Sequence, residues 1–125
     1  MVASAGTSSD NIERIEPGPR MSMAVAYGPT VYLAGQVARN AGGGSVSEQT
    51  RDILSIIDGL LEKACTNKSR LLSANIWLTD IATFNEMNAV WDAWVAPGCA
   101  PARATVEAKL ASPQYKVEIA VVAAR

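Results

Sequence analysis

A chain of 125 residues, 49% apolar and 18% charged, has the balance of one folded domain and not that of a disordered segment. Its formal net charge is −1 with no basic block, which removes the electrostatic footprint of phosphate-backbone binding and argues against a nucleic-acid partner. The two cysteines, Cys65 and Cys99, lack the spacing of a zinc site or a redox pair, and there is no histidine, so any catalysis must rest on carboxylates, arginine, hydroxyls and backbone groups.

Residues 1–20 carry Ser, Gly, Pro and mixed charge without periodicity, and EPGPR (Glu16 to Arg20) is rich in turn formers. A flexible leader is expected over 1–20 and a single domain over 21–125. The N-terminal stretch has no charged region followed by an apolar one, and no run approaches the roughly 18 apolar residues of a membrane span, so a cytoplasmic location with no membrane partner is expected. MSMAVAY and TVYLAGQ read as two antiparallel strands turned at Gly28 and Pro29.

NAGGGSVSEQT is a glycine-rich loop, and because no Lys-Ser/Thr pair follows the glycines it reads as a connection and not as a phosphate site. Ser45 and Glu48 match a capping box, predicting a helix to about Cys65 with Ile53, Ile56, Ile57, Leu60, Leu61 and Ala64 on one face. SRLLSANIWLTD has strand propensity. Thr83 and Glu86 then repeat the capping pattern before a second helix over FNEMNAVWDAWV, whose stripe of Phe84, Met87, Val90, Trp91 and Trp94 reads as core or subunit contact. Pro97 and Gly98 end it, and two last strands, ARATVEA and YKVEIAVVA, flank a turn at Pro113. The order β-β-α-β-α-β-β predicts an α+β two-layer sandwich, a mixed sheet with two helices on one face. A domain of this size owns only shallow pockets unless a second subunit adds a wall.

In the penultimate strand Arg103, Thr105 and Glu107 alternate with Ala102, Ala104, Val106 and Ala108, placing the polar set on one face. Glu118 alternates in the same way between Val117 and Ile119 in the last strand. Pairing of these strands as a hairpin would bring Arg103 and Glu118 together on one face. Periodicity leaves two readings open: a salt bridge on the open face, or a functional pair.

AGQVA, EQTRDILSIIDGLLEKA, ANIWLTDIATFNEMNAVWDAWV, PARATVEA and YKVEIAVVAA resemble the Rid family of reactive-intermediate deaminases, also called the YjgF family. The segment from Met87 to Ala124 is similar to the YoaB-like members. The resemblance spans about Met21 to Ala124 and implies a homotrimer of chorismate-mutase-like fold with three clefts between adjacent subunits. It also implies residue roles. Arg103 matches the arginine that pairs with the substrate carboxylate, where a planar fork suits a bidentate contact. Glu118 matches the glutamate that holds and polarises the attacking water. Gly35 matches the cleft glycine beside which substrate approaches the backbone, and Ala104 and Thr105 follow the arginine along the substrate site. Asn88 matches a helix asparagine that lines the cleft or orders its neighbours. Met21 and Ala34 stand where archetypal relatives carry a tyrosine and a serine, which makes the site more apolar and suggests tolerance for apolar substrate side chains. Thr105 replaces the thiol of many relatives, and Cys99, which precedes the arginine, is a loop thiol.

The function implied is hydrolysis of 2-imino acids of the 2-aminoacrylate type, with enamines entering by tautomerisation, to 2-keto acids and ammonia, without cofactor or metal. The alternative is a non-catalytic trimer that binds small carboxylates or keto acids. A nuclease or translation-inhibitor reading, attached to some relatives, is opposed by the near-neutral charge and the missing histidine.

Overall fold

The computed structural model describes residues 11–125. Six strands form one mixed sheet: β1 (Ile12–Pro17), β2 (Ser22–Tyr27), β3 (Thr30–Leu33), β4 (Leu71–Leu78), β5 (Ala102–Glu107) and β6 (Val117–Ala124). Their spatial order is β1-β2-β3-β6-β4-β5. All neighbours are antiparallel except β4 and β5, which run parallel. Two helices, α1 (Val46–Lys63) and α2 (Phe84–Trp94), supply the second layer and make the crossovers into β4 and β5. The α+β class and the two-helix, mixed-sheet architecture are those the sequence predicts, with one strand more.

That extra strand corrects the expectation of a leader over 1–20. Residues 1–10 lie outside the described residues, whereas Ile12–Pro17 pairs with β2 from Ile12 against Tyr27 to Pro17 against Ser22. On this outermost strand only Ile15 is buried, so there is no hydrophobic period to read. Tyr27 and Thr30 pair across the turn expected at Gly28 and Pro29, and Gly28 supplies the positive φ of 60°.

One sheet face meets the helices. Ala24, Ala26, Val31, Ile76, Ile119 and Val121 carry it, with almost no exposure, against Ile53, Leu54, Ile57 and Leu61 of α1 and Met87 and Trp91 of α2. The Ser45 capping box forms as predicted, both reciprocal bonds present. The second one does not. Thr83 makes no side-chain cap, and the Glu86 carboxylate reaches across to α1, accepting from Ser47 N at 2.9 Å and Ser47 Oγ at 3.0 Å. An acceptor spent on the positive end of another helix ties the two helices together at that end.

Gln49 joins α1 to the entry of β6. Fully buried, it donates through Nε2 to Gly44 O at 3.1 Å and Gln114 O at 2.8 Å, and its Oε1 accepts from Lys116 N at 2.8 Å. Replacing it with leucine takes the side-chain partner from Gly44 O and Lys116 N and leaves Gln114 O with Gly43 N alone, all three lost bonds being partly buried. Gln49→Leu is expected to destabilise the fold by roughly 2–4 kcal/mol, read as a lower urea midpoint at an unchanged slope.

Candidate functional site

Arg103 and Glu118 do not share a face. β4 lies between β5 and β6, so no hairpin joins them. Arg103 is level with Ala74 and Val121 on the helix-facing side, whereas Glu118 is level with Trp77 and Val106 on the opposite side. The polar set of β5 therefore points toward the helices, and its alanines, with Val106, face the open side. This reverses the salt-bridge reading on the open face.

The arginine sits half-buried at the corner between β5 and α2. Its Nη1 donates to Asn88 Oδ1 at 2.7 Å, and its guanidinium carbon lies 5.7 Å from the ring centroid of Phe84 and 5.4 Å from that of Trp91. Phe84, Asn88 and Trp91 recur at four- and three-residue spacing, so one stripe of α2 surrounds the cation. Among the described residues it makes no ion pair, and Asn88 is its one hydrogen-bond partner. A guanidinium carries five N–H donors, so most of the fork stays available. It faces an open cleft of about 590 Å³ lined by Asn85, Asn88, Trp91, Asp92, Pro101 and Arg103. Thr105, on the same face, keeps a buried hydroxyl oxygen with no partner among the described residues.

Glu118 is positioned by an irregularity in the sheet. Tyr32 pairs with Val122, but beyond β3 the next bridge is Gln36 with Ile119, so three residues on one side span two on the other. This bulge carries Gly35 against Glu118. A Cβ on Gly35 would fall well inside contact distance of Glu118 Oε2 and 3.0 Å from its Cδ. The space expected for substrate beside Gly35 is thus taken first by the glutamate itself. Buried Gln36 locks the bulge, donating through Nε2 to Ala34 O at 2.9 Å, while Ala34 N donates to Met23 O at 2.9 Å. Among the described residues Glu118 has neither a hydrogen-bond donor nor a cationic partner, and burial pushes its pKa above the ordinary 4.5.

The remaining expected positions divide between these two places. Ala34 and Gly35 stand with Glu118, and Asn88 and Thr105 stand with Arg103. Ala104, level with Asn75, faces the open side. Met21, exposed on the β1–β2 turn, lies at the far side of the sheet from β5. Phe84 and Trp91 were legible only as an apolar stripe; their spacing from Asn88 was the available signal. Among the described residues no group of three His, Cys, Asp or Glu side chains is placed to hold a metal ion, and no helix is long and apolar enough to cross a membrane.

Comparison with known proteins shows the family of the chain. The profile of the endoribonuclease L-PSP family matches residues 11–125, and the chain belongs to that family, which also goes by the names YjgF and Rid. It is 47% identical over 113 residues to the RutC family protein YoaB of Escherichia coli, covering 90% of this chain and 97% of that one. A RutC family protein of Haemophilus ducreyi is 45% identical over 113 residues, with 90% and 96% covered. Among solved structures, a YjgF protein family member from Neisseria meningitidis superposes with a TM-score of 0.90 at 42% identity, covering 94% and 97% of the two chains.

Because the glutamate occupies the space over Gly35, whose backbone is not in the left-handed region, a methyl group there should move the carboxylate without unfolding the chain. Gly35→Ala is expected to shift the unfolding midpoint by only about 0.5 M urea or less. The Glu118 titration, followed by carbon NMR, should return from its raised position toward 4.5. An unchanged titration would show that the glycine does not set the glutamate's environment.

Proposed function

We propose that this protein hydrolyses 2-imino acids, and the enamines that tautomerise to them, to 2-keto acids and ammonia, in clefts formed between the subunits of a homotrimer. The observation that carries this reading is a pair of opposite charges, Arg103 and Glu118, that have no ion-pair partner among the described residues. Protein charges in half-buried positions are ordinarily paired, and an unpaired one is a candidate for ligand contact.

A single sheet separates the two groups, so a second subunit is required to bring one subunit's arginine to another's glutamate. The open sheet face supports such an assembly. Tyr27, Tyr32 and Val106 stand about half exposed on it, at 48%, 50% and 49%, beside Val25, Trp77 and Val122, a continuous apolar surface that a lone subunit would leave in water. Family membership adds weight, as does the small size of the domain.

In the assembled cleft Arg103 takes the substrate carboxylate on its free fork. Glu118 accepts a hydrogen bond from one water and receives its proton as the oxygen attacks the iminium carbon. The C=N π pair moves to nitrogen, giving a carbinolamine. Protonated Glu118 returns its proton to that nitrogen, and the restored carboxylate takes the hydroxyl proton as the C–N bond breaks, so that ammonia leaves and the O–H bonding pair becomes the C=O of the keto acid. Burial makes Glu118 a stronger base than an exposed carboxylate. The reaction consumes only water, and an imine carbon is already electrophilic, so positioning two groups suffices. Ala34 and Met21 add no polar contact, which suits substrates with apolar side chains. Among the described residues no helix is long and apolar enough to cross a membrane, and this reading places the chemistry in the cytoplasm.

The test generates 2-imino acids in situ with an amino-acid oxidase and traps what remains with semicarbazide. Wild-type protein should lower semicarbazone formation. Arg103→Ala should reduce kcat/KM about 100-fold, Arg103→Lys about tenfold, and Glu118→Gln should lower kcat about 100-fold. Pyruvate binding without any acceleration would support the alternative of a carboxylate-binding trimer.

A further inference from the structure

To act on a carboxylate, Arg103 must keep one orientation while its charge stays free. An arginine at a protein surface is commonly held by a carboxylate, which fixes the guanidinium plane and neutralises it together. A carboxylate anchor here would compete with the substrate's own. The ring faces of Phe84 and Trp91, 5.7 and 5.4 Å from the guanidinium carbon, offer another solution, since a π face attracts a cation through its quadrupole without removing the net charge. Asn88, neutral at every pH, supplies the remaining contact.

We propose that Trp91, supported by Phe84, is a positioning residue for substrate binding: the two rings fix the plane of Arg103 so that its free edge meets a 2-imino or 2-keto carboxylate already oriented. This rests on the reading of Arg103 as the carboxylate clamp. Trp91 is suited to the role because it is 5% exposed and is itself braced by Trp94, with ring centroids 5.4 Å apart. Indole is also the strongest cation binder among the aromatic side chains. Phe84 is the more exposed of the two rings, at 38%.

A contact made equally in the bound substrate and in the transition state changes KM and leaves kcat nearly constant. Trp91→Leu is therefore expected to raise KM for 2-imino acids, and Kd for pyruvate, roughly fivefold with kcat little altered. Trp91→Phe, which keeps a π face, should recover most of that loss. A merely structural role would not produce the accompanying NMR signature. The Arg103 Nε–Hε resonance, identified by its loss in Arg103→Lys, should lie upfield in the ring currents of the wild-type protein and move to the position of a free arginine in Trp91→Leu.

The proposal is overturned if that resonance is the same in wild type and Trp91→Leu, if KM and Kd stay unchanged once it has moved, or if Trp91→Phe is no better than leucine. Should Trp91→Leu fail to fold, Phe84→Leu at the exposed ring decides the matter by the same two readouts. Should the wild-type protein bind pyruvate but hydrolyse no imine, the deaminase reading fails while the resonance and Kd still judge the positioning role. Absence of pyruvate binding to the wild-type protein overturns both.

Discussion

An arginine half-removed from water and, among the described residues, without a counter-ion is the constraint on which the rest of the site depends. Such a group is costly unless its N–H donors and its charge are accommodated, and a domain selected only for stability would pair it or move it to the surface. Here α2 accommodates it with one amide and two ring faces. The same helix packs the core through buried Met87 and Trp91 and partly buried Val90 and Trp94, while one of its stripes surrounds Arg103.

Across the sheet, the glutamate depends on a different device. A register shift of one residue after β3 brings a glycine beside Glu118, and buried Gln36 secures the irregular backbone through Ala34. Bulges re-aim side chains where regular pairing would not. The two devices sit on opposite faces of the same sheet, and the strand between them, β4, rules out direct contact within a subunit. The proposed chemistry would therefore need a second copy of the chain to bring the two surfaces together, and the apolar open face is the surface such a copy would cover.

Much of the fold was legible because its signals are local. The turn at Gly28 and Pro29 depends on two backbone preferences, and the start of α1 on a reciprocal bond between Ser45 and Glu48 three residues apart. Where a signal could be satisfied by a distant partner, the reading failed. Glu86 has the spacing of a cap but bonds Ser47 of the other helix, because an acceptor takes whichever orphaned donors the packing presents. β1 escaped notice because an outermost strand with one buried residue carries no period. The last two strands looked like a hairpin because they are consecutive, yet β4 pairs with both, one on each side.

The sequence by itself determined which residues could do chemistry. Residue type and alternation left Arg103 and Glu118 open to a plain salt bridge, and it was the family resemblance, which comparison with known proteins bears out, that singled them out. Tertiary structure decided everything about how they are held. Alternation tells which residues share a face within one strand, but which face meets the helices depends on strand order, and strand order depends on long-range pairing that no local pattern encodes. The rings beside Arg103 and the glycine beneath Glu118 belong to elements 12 or more residues away in each case, and only the folded chain makes them neighbours.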